Sequence, residues 1–381
     1  MKKLYSKKIV ILIIVIFVIA GFNSWYIINY FQQESPSGIE IQEILTIDNL
    51  NLREQAYQRL IERVGPVAAQ EELYTSGLVF DGQAHLLNHT VGKYLYKEIG
   101  NEGIIQCKDY FLSSCFHGFL IPLIAEKGVK ELDDVMMLCW KRSLPIAIQC
   151  AHGIGHGLLV SAGYNNLPKA LEQCDRLSET SNDFPEFHCF DGVFMENIWA
   201  VHENGRPSPD RWVKKEDPVY PCNDARIAEE YRKACWANQP DVLFSILRKT
   251  IEDVSEVCSS LQNENYKEMC FDGIARKIQP MSEGSSEKVI QFCKRVSSEW
   301  EDDCIISNVR SYFSLGDRVI PFDLCNRIYS DAKKRCYNEI IKSIGLYFPV
   351  SSSVKDALCS QVPAGFNEEK KCQKENNYLF L

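Results

Sequence analysis

The chain is predicted to be all-α: an α-solenoid of about eight to nine disulfide-stapled helical-hairpin repeats behind an N-terminal transmembrane helix. Three observations predict this. Sixteen cysteines fall into eight pairs, Cys107/Cys115, Cys139/Cys150, Cys174/Cys189, Cys222/Cys235, Cys258/Cys270, Cys293/Cys304, Cys325/Cys336 and Cys359/Cys372. Successive second members stand 35, 39, 46, 35, 34, 32 and 36 residues apart, the period of a two-helix repeat. Few stretches show the period-two alternation of a strand.

In chain order, residues 1–8 hold Lys2, Lys3, Lys7 and Lys8, and no acidic residue precedes Glu34. Apolar character runs from Ile9 to about Phe31, long enough to cross a hydrocarbon core. The positive-inside bias leaves residues 1–8 in the cytoplasm, makes 9–31 a signal anchor and sends the bulk of the chain across the cell membrane. A cleaved signal peptide is the competing reading, with Ile19-Ala-Gly21 the nearest approach to a cleavage site, and it would make the protein secreted. Residues 32–45, opening Gln-Gln-Glu-Ser-Pro-Ser-Gly, read as a loop-forming stalk. The cysteine-rich helical domain then spans 46–381, with histidine-bearing repeats at 81–202, an insertion loop at 203–221 and histidine-free repeats at 222–381.

All sixteen cysteines follow the anchor, which agrees with an oxidising compartment and structural disulfides. No C-x-x-C doublet exists, which argues against thiolate zinc and, with no C-x-x-C-H, excludes covalent haem. Adjacent pairing is the simplest connectivity. The exported part carries 38 basic against 51 acidic residues, a net −13, which argues against a nucleic-acid or anionic-lipid partner for the domain.

Alignment on the second cysteine exposes the unit. The next position is occupied by Phe116, Ala151, Phe190, Trp236, Phe271, Ile305 and Tyr337. Positions one, four, five and eight beyond the cysteine cluster within about 100° of a helical wheel, a buried stripe. The first cysteine should end a helix A and the second begin a helix B, so that the bond staples the hairpin. Three residues beyond the cysteine come Gly118, Gly153, Gly192 and Gly273, either packing devices or space beside a ligand. Repeat length and stapling resemble the hairpin arrays of some cysteine-rich repeat proteins, and that resemblance implies architecture alone.

The histidines concentrate in one half. His85, His117 and His152 occupy one repeat position, with Gln83 standing where the first of these repeats would have its cysteine. His89 and His156 share the position four residues on, and residues at i and i+4 share a helix face. Asp191 takes the first position in the next repeat, with Glu196 close by. His85, His89, His117, His152, His156 and Asp191 are therefore the candidate metal ligands, for a transition metal such as zinc or iron. Asp191 and Glu196 are the candidate catalytic carboxylates. The wheel places the histidines about 100–140° from the apolar stripe, outside the expected core. No H-E-x-x-H, G-x-S-x-G or P-loop occurs. Asn88-His-Thr90 fits a glycosylation sequon inside the expected helix.

Three functions fit: a membrane-tethered repeat scaffold that binds a protein, peptide or glycan and carries a histidine-rich metal site; a metal-dependent hydrolase or oxygenase using the same histidines; or a structural envelope protein.

Overall fold

Eight local cross-links and an apolar stripe on each long segment favour consecutive helix pairs, and five of the eight bonds join two full helices. The computed structural model describes residues 37–77, 82–180, 184–200, 207–329, 331–348, 352–367 and 370–375, and among these no strand occurs. The basic segment 1–8, the anchor 9–31 and stalk residues 32–36 lie outside the described residues, as do 201–206, which include His202.

Helix α1, Ser37–Leu45, corrects the expectation of a loop-forming stalk across 37–45. Ile41 and Ile44 share a face and are buried, which outweighs the Pro-Ser-Gly composition at its start. Asn49 caps α2, Leu50–Val64, by accepting the Leu52 N–H, and Pro66 opens α3, Pro66–Thr75. The long α4, Gly82–Ile99, is the repeat with Gln83 in place of a cysteine. A 3-10 stretch, Gly100–Gln106, then leads to α5, Ser114–Lys127.

From here most helices come in pairs. α6, Leu132–Trp140, pairs with α7, Leu144–Ala162, and α8, Leu167–Thr180, with α9, Glu186–Trp199. α10, Glu229–Asp241, continues into a π turn at Val242–Ile246. α11, Ile251–Ser259, pairs with α12, Glu264–Met281; α13, Ser286–Cys293, with α14, Glu301–Ser314; and α15, Ile320–Arg327, with α16, Ala332–Tyr347. α17, Ser353–Cys359, and the single turn α18, Lys371–Lys374, close the series. Thr250 and Asp253 form a reciprocal capping box on α11, and Ser285 and Ser352 cap α13 and α17.

All sixteen cysteines are paired, and all eight bonds join the expected neighbours: Cys107–Cys115, Cys139–Cys150, Cys174–Cys189, Cys222–Cys235, Cys258–Cys270, Cys293–Cys304, Cys325–Cys336 and Cys359–Cys372. Their Cα–Cα separations run from 5.5 to 6.5 Å. The expectation that the second cysteine begins helix B needs correction. Cys115 is near the start of α5, but Cys189 and Cys304 follow the opening residues of α9 and α14, and Cys336 lies a turn inside α16. Cys150, Cys235 and Cys270 are deeper still, each the seventh residue of α7, α10 and α12. The reason is that capping, not the thiol, sets where a helix starts. Ser143 accepts an N–H at the head of α7 and Asn263 does so for α12, each seven residues before the cysteine.

Three pairs depart from two full helices. Cys107 follows a 3-10 stretch rather than a helix A. Cys222, the partner of Cys235, lies in a run of turns. Four prolines between 203 and 221 explain this, since each removes a helical donor and clashes with the preceding turn. Cys372, the partner of Cys359, sits in the single turn α18 instead of a long helix B, yet it is fully buried.

The apolar stripe holds. Phe116, Phe119, Leu120 and Leu123 of α5 are fully buried, as are Ile274, Ala275 and Ile278 of α12 and Ile340, Ile341 and Ile344 of α16. Each long helix packs against the next, α4 on α5, α5 on α7, α7 on α9, then α10, α12, α14 and α16 in turn. The row curves back far enough for α16 to touch α7. Burial and then the nearby Asp109 carboxyl push the Tyr347 phenol up.

Glycine fixes three crossings, one of them α10 with α12, where a Cβ on Gly273 would stand 2.4 Å from the Ala237 carbonyl oxygen. A Cβ on Gly118 would stand 1.9 Å from the His89 carbonyl oxygen, and one on Gly92 would stand 2.1 Å from that of Cys115. Further along the row, Gly192 would meet the His152 carbonyl at 2.0 Å and Gly155 that of Cys189 at 2.1 Å. These glycines are packing devices that bring backbones of α4 with α5, α7 with α9, and α10 with α12 into direct contact. α7 itself is long and apolar enough to cross a membrane by length and composition, yet it is mostly buried among its neighbours.

Candidate metal centre

Close approach of α4 and α5 at Gly118 brings His85 and His89 to His117, and that of α7 and α9 at Gly192 sets His152 beside Asp191. Gly153 and Gly157 of α7 pack against Leu120 and Ile124 of α5, which brings His152 and His156 to His117. His85 and His89 stand on α4, His117 on α5, His152 and His156 on α7. Ring centroids lie 5.4 Å apart for His85–His117 and His89–His117, 5.2 Å for His117–His152 and 4.3 Å for His117–His156. Two triads result, His85/His89/His117 and His117/His152/His156, each with one nitrogen per ring mutually within 4.8 Å. Either could hold a metal ion.

Burial corrects the wheel. His89, His117, His152 and His156 are 5, 1, 9 and 4 % exposed, and His85 is half-buried. The wheel sees one partner surface, whereas each long helix here is flanked by long helices on both sides. The second face is as covered as the first.

The outer ring nitrogens are held by oxygens. His156 Nδ1 donates to Glu196 at 2.8 Å, and Tyr164 donates its hydroxyl to the same carboxylate at 2.6 Å. His152 Nδ1 faces Asp191 at 3.1 Å, and Asp191 also accepts from Asn238 at 2.8 Å and Arg276 at 3.2 Å. His85 Nδ1 donates to the Phe111 carbonyl at 2.8 Å. That carbonyl comes from Phe111-Leu112-Ser113, three consecutive non-glycine residues with φ between 51 and 59°. Left-handed backbone costs roughly 1–2 kcal/mol per such residue, so the turn that aims Phe111 is strained.

Nδ1 of both His152 and His156 faces a carboxylate, and their Nε2 atoms stand 3.2 Å apart, a gap that a shared proton or a bound metal ion can bridge. Nitrogens bound about 2.0–2.1 Å from one tetrahedral metal stand about 3.3 Å apart, which matches this gap and the 3.1 Å between His85 and His89 Nε2. His117 differs from the rest: both ring nitrogens are buried and neither has a hydrogen-bond partner. Burial, then the neighbouring imidazoles, hold it well below the ordinary histidine range, so it is neutral.

Asp191, expected among the ligands, stands behind His152, and Glu196 stands behind His156. Burial opposes ionisation of Asp191, but Arg276 and His152 outweigh it and keep the carboxyl far below its usual range. Sequence reasoning missed Tyr164, Asn238, Arg276 and the Phe111 carbonyl. Arg276 and Asp191 are 85 residues apart, and no local signal joins them. His188 is close to Asp191, and burial lowers it to about 4.

The insertion lies near this assembly. Asn197 of α9 exchanges hydrogen bonds with the Trp212 backbone at 3.0 and 2.7 Å, and Trp212 Nε1 donates to the Asn165 carbonyl beside Tyr164. Gln239 donates to the Pro218 and Tyr220 carbonyls. The sequon residue Asn88 is fully buried and hydrogen-bonded to Gln70 and Ser114, so it offers no glycan acceptor in the folded chain.

No family model matches the chain, and neither curated proteins nor solved structures match it. The reading of the site therefore rests on its own geometry.

Proposed function

We propose that the protein is a membrane-anchored, extracytoplasmic α-solenoid whose N-terminal repeats bind a transition metal through His85, His89, His117, His152 and His156. The observation that carries this is the pair of triads, His85/His89/His117 and His117/His152/His156, each with one nitrogen per ring within 4.8 Å of the others, and with the outer Nδ1 atoms of His152 and His156 on carboxylates. Outer-shell carboxylates that fix the tautomer of a histidine are the usual partners of a metal-bound imidazole. Every thiol is in a disulfide, which leaves an all-nitrogen ligand set suited to zinc, copper, iron or nickel.

The rest of the array is then a scaffold for a protein, peptide or glycan partner, since stacked hairpins offer extended surfaces. A second reading has one observation in its favour. Three imidazoles per triad leave a metal an open position, as catalytic rather than structural zinc sites do. Glu196 is already engaged by His156 and Tyr164, so such an enzyme would rely on metal-bound water as its nucleophile.

Elemental analysis of full-length protein purified without a histidine tag tests the metal reading. We expect near-stoichiometric metal in the wild type and its loss in a His85→Ala, His152→Ala double variant. Metal below about 0.1 equivalent, with unchanged stability in the variant, overturns it.

A further inference from the structure

We infer that the five histidines form a two-metal centre in which His117 bridges the ions through both ring nitrogens, with His85/His89 completing one ion and His152/His156 the other. This rests on the metal-binding reading and goes beyond it.

His117 belongs to both triads, and it is the one ring common to them. It is almost wholly buried, and both of its nitrogens lack a protein partner. A neutral imidazole has one donor and one acceptor, so a buried ring with neither used is rare in a folded core. The four flanking rings divide two and two, and the partners within a pair have nitrogens 3.1 and 3.2 Å apart.

The spacing can be checked without any ion. Two imidazoles on one tetrahedral metal place their ring centroids about 5 Å apart, given metal–nitrogen bonds of about 2.0–2.1 Å. His85–His89 and His152–His156 are at 4.7 and 4.9 Å. His117 stands 5.4, 5.4 and 5.2 Å from His85, His89 and His152. His156, stacked on His117 at 4.3 Å and 20°, departs most from this spacing, and its ring must open away on binding. A bridging imidazolate would hold the ions about 6 Å apart.

Binding balances simply. The first ion takes the lone pair of one His117 nitrogen; the second takes the other nitrogen and releases its proton to solvent, so the bridge is an imidazolate. No electron is transferred.

Copper(II) is the probe, because two such ions joined by an imidazolate couple magnetically. Full-length apoprotein in detergent is titrated with copper(II) and followed by metal content and electron paramagnetic resonance. We expect two equivalents bound and most of the mononuclear copper signal lost at saturation. In His117→Gln, which keeps both flanking pairs, the copper that binds gives a full-intensity uncoupled signal. Circular dichroism and thermal melting of both proteins confirm that the variant is folded. Two equivalents without coupling in the wild type overturn the bridge. One equivalent overturns the two-metal centre and leaves metal binding intact. No copper and no zinc bound overturns both readings.

Discussion

The same two register positions carry opposite chemistry in the two halves of the chain. Two and six residues beyond the second cysteine, the N-terminal repeats place His117, then His152 and His156, with His85 and His89 equivalent in the cysteine-free repeat. Past residue 250 those positions hold Asp272 and Arg276, then Ile306 and Arg310, then Asn338 and Lys342. The early ridge is a buried row of imidazoles. The later one is a string of partly exposed ion pairs, Asp272–Arg310 at 3.2 Å and Arg310–Glu339 at 2.8 Å. Arg276 joins the two by reaching back to Asp191. Close approach of helices does not by itself separate the two: glycine brings backbones together at α4/α5 and α7/α9 but also at α10/α12, where Gly273 stands between Asp272 and Arg276, and only by α14 does Ser307 take that position.

The largest difference between the halves is expected at the glycine of α9. Gly192→Ala sets a Cβ 2.0 Å from the His152 backbone oxygen, which no rotamer can relieve. We expect a loss of about 3 kcal/mol or more in urea unfolding, together with loss of metal binding. Ser307→Ala at the equivalent C-terminal position should fall within about 0.5 kcal/mol. Equal effects would mean that the two halves pack alike.

Disulfides offer a matched pair. Cys139–Cys150 and Cys293–Cys304 both close sequence separations of 11. Replacing either pair by alanine should cost about 3 kcal/mol on the chain-entropy account. Only the first removes a staple two residues from His152, so only the first should weaken metal uptake in the titration. Loss of uptake in both variants would show that the site depends on global stability rather than on local helix placement.

Much of the fold is legible in the sequence. Cysteine spacing predicts the bond pattern and the helix pairs, because a short loop between two thiols leaves adjacent pairing the simplest solution. The register of His85, His117 and His152 predicts that their rings come together. What escaped reading has physical causes. Spacing gives the bond but not the helix start, so Cys235, Cys270 and Cys336 sit well inside helices that begin earlier. The helix at 37–45 is hidden by Pro36 and Gly38, although Ile41 and Ile44 pack it down. Burial of His117 depends on a second packing face that a single helical wheel does not contain. Tyr164, Asn238 and Arg276 act across 32, 47 and 85 residues, and only the fold supplies those neighbours.

At His117 the expected change in stability has the opposite sign. Its two unpaired nitrogens make it a cost to the metal-free fold, at about 1–3 kcal/mol for a buried unsatisfied polar group. His117→Leu, close in volume and without polar atoms, should raise metal-free stability by about 1 kcal/mol while weakening or abolishing metal uptake. Denaturant unfolding with and without chelator measures both. A destabilised metal-free variant would show that the ring already has a partner in solution and is no misfit awaiting a ligand.

The smallest effect belongs to the other half of the ridge. Arg310 is half exposed and bridges Asp272 and Glu339 in a setting where water competes for every charge. Exposed pairs contribute about 0.2–1 kcal/mol and are screened by salt. Arg310→Ala should therefore lower stability by no more than about 1 kcal/mol, and that difference should shrink between low and high ionic strength. Metal uptake should be untouched, because Arg310 pairs with Asp272 and Glu339 and with none of the carboxylates behind the histidines. Arg276→Ala is the informative neighbour: it strips Asp191 of a cation and, through His152, should weaken metal binding even though Arg276 stands outside both triads. If both arginine variants leave uptake unchanged, the carboxylate behind His152 does not tune the imidazole, and the two halves of the ridge are chemically independent.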